Sequence, residues 1–165
     1  MFFSPLLLRC TSALAGVFSQ VHGALRKLKA ERGITFAIVD YLQLMTAVGR
    51  FDNRTNEVSH LSRGLKNIAV DLKIPIVALS QFKRVGDVPR RPQLSDLRES
   101  GSIEQDANVV ILLFSERHDP DAEVCPTEVI VAKQRNGPIG TIPFEFHKKQ
   151  GVFRETSESS ERNAA

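Results

Sequence analysis

The chain has 165 residues, of which 42% are hydrophobic, 25% charged and 7% aromatic, the composition of a folded domain rather than a disordered or collagen-like chain. A chain of this length folds without a metal or disulfide bonds, and Cys10 and Cys125 have no zinc-ligand or Cys-x-x-Cys spacing. The formal net charge of +3 permits a nucleic-acid partner without indicating one. No apolar run reaches the roughly 20 residues that span a membrane, so we expect a reduced, cytoplasmic protein without a membrane partner.

The two termini differ from the middle of the chain. Residues 1–19 begin with an apolar stretch that has no basic residue before it and is cut by Arg9, a poor match to a signal peptide, and this segment stays unassigned. Residues 155–165 contain no apolar side chain larger than alanine, which predicts a disordered tail. The folded domain is therefore expected at about 20–154.

Alternating helical and strand patterns predict an α/β fold. Apolar residues three and four apart in 21–28, followed by Gly33, predict an amphipathic helix. The apolar runs 34–39 and 74–79 predict strands that are covered on both faces. A helical stripe over 57–72 lies between them, so the pattern predicts a βαβ crossover with parallel strands.

The later apolar runs predict that this sheet continues. Runs at 109–114 and 129–132 are expected to add strands to a mostly parallel sheet flanked by helices. Segments 141–146 and 152–153 are expected to form a C-terminal hairpin at the edge of the sheet.

Polar residues follow both strands of the predicted crossover. Asp40 comes directly after the first, and Ser80 and Gln81 come after the second. Ligands of open α/β sheets bind at the carboxyl ends of the strands, so these residues are expected to face one crevice. A carboxylate there suits a Mg²⁺ ion that carries nucleotide phosphates, and a glutamine can orient a phosphate or its attacking water. Spacing alone equally allows Asp40 to cap a loop and Gln81 to be solvated.

Four blocks of sequence closely resemble the C-terminal motor domain of DnaB-type replicative helicases. They occur in the same order as in that family: IVDYLQLM at 38–45, ALSQ at 78–81, SDLRESGSIEQDA at 95–107 and AKQRNGP at 132–138. The resemblance covers about residues 20–154 and implies a RecA-like P-loop NTPase core, truncated here. It further implies a ring of six subunits that hydrolyses ATP with Mg²⁺ between subunits and moves along single-stranded DNA.

The resemblance also implies roles for individual residues in ATP hydrolysis. Asp40 is expected to hold Mg²⁺, directly or through water, and Gln81 to couple the γ-phosphate to the DNA-binding loops. Lys133 and Arg135 are expected to act as basic fingers on nucleotide in the neighbouring subunit, where positive charge stabilises phosphoryl transfer. The alternative is that both are solvated at a strand end.

DNA contacts are expected from two neighbouring segments. By the resemblance, the turn with Arg98, Glu99 and Gly101 contacts the DNA backbone in the central channel. The loop before it carries four basic residues that would add sequence-independent phosphate affinity: Lys83, Arg84, Arg90 and Arg91. The alternatives are a surface ion pair within the turn and a solvated loop.

The sequence departs from the family pattern because it lacks a phosphate-binding loop. No G-x-x-x-x-G-K-[ST] occurs, and none of the ten glycines is followed by lysine. Two functions therefore stay open. One is a piece of an ATP-dependent DNA helicase whose other half is supplied by another chain or is lost. The other is a non-catalytic module that binds DNA or joins a ring, either a homo-hexamer or one of intact helicase subunits.

Overall fold

The computed structural model describes residues 18–81, 90–115 and 121–156, and at 98–102 the backbone alone. The predicted DNA-contact residues Lys83 and Arg84 lie outside this part, as do nearly all of 1–19 and 157–165. The elements are α1 (Phe18–Arg32), β1 (Ala37–Val39), a 3-10 turn (Leu42–Leu44), α2 (Arg54–Leu72), β2 (Ile76–Ala78), a 3-10 segment (Leu94–Ser100), α3 (Gly101–Asp106), β3 (Val109–Phe114), β4 (Val124–Gln134), β5 (Gly140–His147) and β6 (Val152–Glu155).

These elements form two compact units. The helical unit contains the described residues up to 81 together with 97–107, and the sheet unit contains 90–96 together with the described residues from 108 onward. No helix in the described ranges is both long and apolar enough to cross a membrane.

The helical unit is built on the predicted βαβ crossover. β1 and β2 are parallel, with Ala37 opposite Ile76 and Val39 opposite Ala78, and α2 connects them. The hydrophobic core joins α1, α2, β1, the 3-10 turn and the segment just before β2. Its members are Val21, Leu25, Ile34, Ala37, Val39, Leu42, Met45, Val58, Leu61, Leu65, Ile68, Leu72 and Ile74.

The helix ends follow local capping chemistry. α1 ends before Gly33, whose φ of +62° is the left-handed conformation that glycine adopts without strain. α2 begins ahead of the predicted stripe because the Asn53 side chain accepts a hydrogen bond from Asn56 N–H and so caps the first turn. At the other end Lys73 takes the left-handed conformation.

β2 is less buried than the sequence predicted. Val77 is 49% exposed, Ala78 is also exposed, and Leu79 just after the strand is 44% exposed, so the described residues leave most of β2 uncovered. An apolar run in the sequence indicates which residues tend to avoid water, but it does not determine how far the rest of the fold covers them.

The sheet unit is antiparallel. Its strands lie in the order β3-β4-β5-β6, and every neighbouring pair is antiparallel. The C-terminal hairpin is confirmed, and β6 extends through Glu155 into the predicted tail. The expected continuation of the parallel sheet through β3 and β4 is not found, because the link between them at 115–123 is shorter than a parallel crossover requires.

Gly64 of α2 lies directly against Phe18 of α1. A Cβ atom there would lie 2.2 Å from Cζ of Phe18 and 2.5 Å from its Cε1. The Phe18 ring also meets the His60 ring edge-on, with 6.3 Å between the centroids. Glycine in a helix interior costs about 1 kcal/mol relative to alanine, and here it makes room for this aromatic contact.

We expect Gly64→Ala to lower the free energy of unfolding by about 1–2 kcal/mol, since displacing the Phe18 ring costs more than the helix gains. Gly23→Ala is the matched control, because nothing lies within 4 Å of a Cβ at that position of α1. It should raise the free energy of unfolding by up to about 1 kcal/mol. Urea denaturation followed by circular dichroism measures both. Two changes of the same sign would contradict the packing argument.

Candidate functional site

Backbone hydrogen bonds connect the residues that follow the carboxyl ends of β1 and β2. Leu79 N–H donates to the Val39 carbonyl at 2.9 Å, and Leu42 N–H donates to the Leu79 carbonyl at 2.9 Å. The chain therefore leaves β1 and turns back against the end of β2. This places Asp40, which follows β1, and Gln81, which follows β2, at the same edge of the parallel pair, as the sequence predicted.

The side chain of Gln43 bridges the two strand ends. Its Nε2 donates to Ser80 Oγ at 2.8 Å and to the Gln81 carbonyl at 3.2 Å. Its Oε1 accepts a longer hydrogen bond, 3.5 Å, from Gln81 N–H. The backbone of Gln81 is therefore fixed by an amide that comes from the turn after Asp40.

Arg54 and Glu57 hold that turn against the first turn of α2. Arg54 Nη2 donates to the carbonyls of Gln43 and Met45, at 2.8 and 2.9 Å, and its Nη1 pairs with Glu57. The other Glu57 oxygen accepts Ala47 N–H at 2.9 Å. This backbone hydrogen bond, together with Arg54, holds the pKa of Glu57 below its usual value. The carboxylate thus stays charged, and the connection stays intact, to a lower pH than for a free glutamate.

Sequence reasoning assigned no role to Gln43 or Arg54. The one available signal was an amide side chain inside the otherwise apolar run Leu42-Gln43-Leu44-Met45. A polar side chain in such a run requires a hydrogen-bonding partner when it is partly buried. The partner here is 37 positions away at Ser80, so local sequence could not name it.

Asp40 and Gln81 keep their side chains available. Both residues are exposed, and neither side chain has a hydrogen-bond or ion-pair partner among residues 18–81, 90–115 and 121–156. The same ranges contain no group of three or more His, Cys, Asp or Glu side chains that could hold a metal. Mg²⁺ on a nucleotide needs only one or two protein carboxylates, so a single available Asp40 fits it.

The predicted basic fingers lie in the sheet unit. Lys133 is in β4 opposite Val110, and Arg135 follows the end of β4. Arg135 is exposed, and its backbone N–H donates to the Asn108 carbonyl at 3.0 Å. The structure therefore brings Asp40 together with Gln81 in one unit, and Lys133 together with Arg135 in the other.

Arg90 and Arg91 are both engaged with carboxylates. Arg90 pairs with Asp96, whose pKa is lowered first by a hydrogen bond from Gln93 N–H and then by Arg90. Arg91 donates to Glu128 and to the Thr141 hydroxyl, each at 2.7 Å. Sequence reasoning missed these pairs, and they offset part of the positive charge that the segment would offer to DNA.

The predicted DNA-contact turn is helical in its backbone. Arg98 and Glu99 belong to the 3-10 segment Leu94–Ser100, and Gly101 is the first residue of α3. Their side chains lie outside the described part of the chain.

Nearly the whole chain matches one known protein family. The family model of the DnaB-like helicase C-terminal domain matches residues 4–155. The chain belongs to this family. The match begins inside the segment 1–19, to which the sequence analysis had assigned no domain.

Curated relatives of the family support the assignment. The chain is 46% identical over 140 residues to the replicative DNA helicase DnaC of Bacillus subtilis, which covers 82% of this chain and 31% of that protein. It is 42% identical over 144 residues to the replicative DNA helicase DnaB of Haemophilus influenzae, which covers 84% of this chain and 30% of that protein. The chain thus spans about a third of the length of these relatives.

Solved structures share the fold of this chain. One solved ATPase domain superposes with a TM-score of 0.75 at 37% identity, over 86% of this chain and 52% of that one. A DnaB-like replicative helicase solved with regard to its interactions with primase superposes with a TM-score of 0.74 at 37% identity, over 86% of this chain and 36% of that one. The RecA-like α/β fold class implied by the sequence blocks is confirmed.

We expect Gln43→Ala to speed amide hydrogen exchange at Gln81 by about fivefold, the factor that corresponds to one hydrogen bond of about 1 kcal/mol. The matched control is Gln20→Ala, an exposed position on α1 of the same unit. It should leave exchange at Gln81 unchanged. Exchange followed by mass spectrometry measures both variants, and an unchanged rate in Gln43→Ala would show that the bridge does not hold the Gln81 backbone.

Proposed function

We propose that the chain is part of a replicative DNA helicase motor. It would supply the residues that bind the metal, sense the γ-phosphate, act as basic fingers on the neighbouring nucleotide and contact DNA. Such a motor couples ATP hydrolysis to movement along single-stranded DNA and to duplex unwinding. The observation that carries the proposal is the Gln43 bridge, which fixes the backbone of Gln81 beside Asp40 while both functional side chains stay available. A cytoplasmic location belongs to the same proposal.

Asp40 would hold Mg²⁺ on a bound ATP, and the ion would neutralise charge on the phosphates. Gln81 would detect the γ-phosphate. The Gln81 backbone is hydrogen-bonded to the Gln43 side chain, so a displacement of Gln81 would also move the turn after Asp40. Because Arg54 binds the Gln43 carbonyl, the displacement would also reach the start of α2. These 165 residues contain no G-x-x-x-x-G-K-[ST], so the phosphate cradle would come from residues outside them.

Arg135 would act on the nucleotide of a neighbouring subunit, in a homo-hexamer or in a ring with intact helicase subunits. Its position after the end of β4 supports this role, because the backbone is anchored at Asn108 and the residue is exposed. A guanidinium placed at the γ-phosphate stabilises the negative charge of the transition state. The ammonium group of Lys133 would add to this stabilisation.

Single-stranded DNA would be contacted by the segment with Arg98, Glu99 and Gly101 and by the basic residues before it. Phosphate contacts of this kind give affinity without sequence preference. The pairs of Arg90 with Asp96 and of Arg91 with Glu128 limit the number of free charges in the second segment.

A second candidate function is a ring-joining or DNA-binding module that has no ATP site of its own. The absence of a G-x-x-x-x-G-K-[ST] in these 165 residues is the observation that favours it. The two candidates differ in one respect: the first requires a partner that completes the ATP site, and the second does not.

We expect the chain alone to hydrolyse no ATP above background, with or without DNA, because the phosphate loop carries most backbone contacts to the triphosphate. Mixed with an intact relative, wild-type chain should support hydrolysis at the neighbouring site. Arg135→Ala should reduce that hydrolysis about 100-fold or more. The matched control is Arg154→Ala, on the exposed strand β6. Hydrolysis by the chain alone that is lost in Asp40→Ala, or a fully active Arg135→Ala, would contradict the proposal.

We expect weak binding of oligothymidine, with the logarithm of the affinity falling with log salt at about −0.7 per phosphate contacted. Replacing Arg90 and Arg91 by glutamine should flatten that slope, and Arg98→Ala should lower the affinity with a smaller change in slope. The control pair is Lys148→Gln with Lys149→Gln, in the turn before β6. Fluorescence anisotropy across a salt series measures all four proteins. An unchanged slope in the arginine variant would show that this segment is not the DNA surface.

A further inference from the structure

Arg91 connects the basic segment to two strands of the sheet unit. Its Nε donates to Glu128 Oε2, and its Nη2 donates to the Thr141 hydroxyl, each at 2.7 Å. Glu128 belongs to β4 and Thr141 to β5, and both lie in the same compact unit as Arg91. One guanidinium therefore binds oxygen atoms of two neighbouring strands. We call these interactions the Arg91 contact.

The two acceptors are arranged like two oxygens of one anion. Ile130 is opposite Thr141 in the β4–β5 ladder, and Glu128 is two residues before Ile130, so Glu128 and Thr141 lie on the same face of the sheet. Nε and Nη2 form the edge of the guanidinium that carboxylates and phosphates bind with two parallel hydrogen bonds. In this structure Glu128 and Thr141 occupy that edge.

The neighbouring arginine is held in a different way. Arg90 pairs with Asp96, which lies in the same segment, has a side chain only 12% exposed and also accepts Gln93 N–H at 2.7 Å. That pair is part of the local fold of the segment. In the Arg91 contact, by comparison, the side chains of Arg91 and Glu128 are 54% and 40% exposed. Exposed ion pairs contribute little to stability, so a competing anion can displace the carboxylate.

There is space beside the Arg91 contact for the side chain to move. A groove of about 290 Å³ is lined by residues 91–93 together with 130–132 and 139–141. None of these lining residues is buried. The Arg91 side chain can therefore leave Glu128 without displacing the core of the sheet unit.

We propose that Glu128 and Thr141 compete with DNA phosphate for Arg91 and so limit the affinity of the chain for single-stranded DNA. The proposal deepens the proposed function, on which it rests, by adding regulation to the segment assigned to DNA contact. The paired edge of Arg91 can bind Glu128 or a phosphate but not both. A strand that binds Arg91 has to break the Arg91 contact first, and Glu128 would recapture the guanidinium when the phosphate leaves.

The alternative is that Glu128 orients Arg91 toward DNA. The two roles predict opposite effects of removing the carboxylate, because loss of a competitor strengthens DNA binding and loss of a positioning residue weakens it. Competition is favoured by the occupied edge, since both donors that would bind a phosphate side by side are already engaged.

The test is the affinity of the full chain for a fluorescent oligothymidine, measured by anisotropy at one salt concentration. Glu128→Gln should bind about three to five times more tightly than the wild type, since it removes the charged acceptor of an exposed pair. Thr141→Val should bind about twice as tightly without any change in net charge. The matched control is Glu123→Gln, which adds the same charge and frees Lys149 from an ion pair. Its affinity should stay within about 1.5-fold of the wild type, because salt screens charges distant from the DNA.

The gain in affinity has to depend on Arg91. In an Arg91→Gln background, Glu128→Gln should change the affinity by less than about 1.5-fold, because the competitor then has nothing to release. Thermal melts followed by circular dichroism check that each variant is folded. Thr141→Val keeps the carboxylate and so tests the same contact if Glu128→Gln does not fold.

Three results would overturn the proposal: no gain or a loss of affinity in Glu128→Gln, an equal gain in Glu123→Gln, or a gain that persists without Arg91. Arg91→Gln by itself tests the DNA-contact part of the proposed function. If it weakens binding while Glu128→Gln changes nothing, the DNA contact is supported and the competition is contradicted. If Arg91→Gln binds oligothymidine like the wild type, both are contradicted.

Discussion

The amide of Gln43 is the contact on which the arrangement of the candidate site depends. β1 and β2 pair over only three residues each, so their ladder alone fixes little beyond Val39 and Ala78. Gln43 extends the connection past the strand ends to Ser80 and the Gln81 backbone. Because Arg54 holds the Gln43 carbonyl in turn, the strand ends and the start of α2 form one hydrogen-bonded structure. Removing one member would leave partly buried polar groups unpaired, which costs more than one hydrogen bond contributes.

Local periodicity in the sequence predicts the helical unit well. α1, α2 and the parallel β1–β2 pair follow from the spacing of apolar residues and from the helix that separates the strands. The antiparallel pairing of β3 and β4 could not be predicted in the same way, because an apolar run does not indicate whether a strand pairs parallel or antiparallel with its neighbour. The length of the link at 115–123 was the informative feature, because it is too short for a parallel crossover.

The candidate site was predictable in part. Asp40 and Gln81 follow strands, and strand ends are where α/β sheets bind ligands, so sequence position was sufficient to nominate them. The role of Gln43 could not be predicted because its partner, Ser80, is distant in the sequence. The same holds for Arg91, whose partners Glu128 and Thr141 lie in β4 and β5. Contacts of this kind are set by tertiary structure. The pairing of Arg91 shows the consequence, because a basic loop residue that the sequence presents as a free charge is already engaged.

The residues proposed to bind the metal and the γ-phosphate lie in one unit, and the residues proposed as basic fingers lie in the other. The Gln43 bridge fixes the backbone geometry of the first set. A double-mutant cycle between Gln43→Ala and Ser80→Ala, measured as free energies of unfolding in urea, tests that bridge most directly. We expect a coupling energy of about 0.5–1.5 kcal/mol, the contribution of one hydrogen bond between the two side chains. Strictly additive effects of the two substitutions would contradict it.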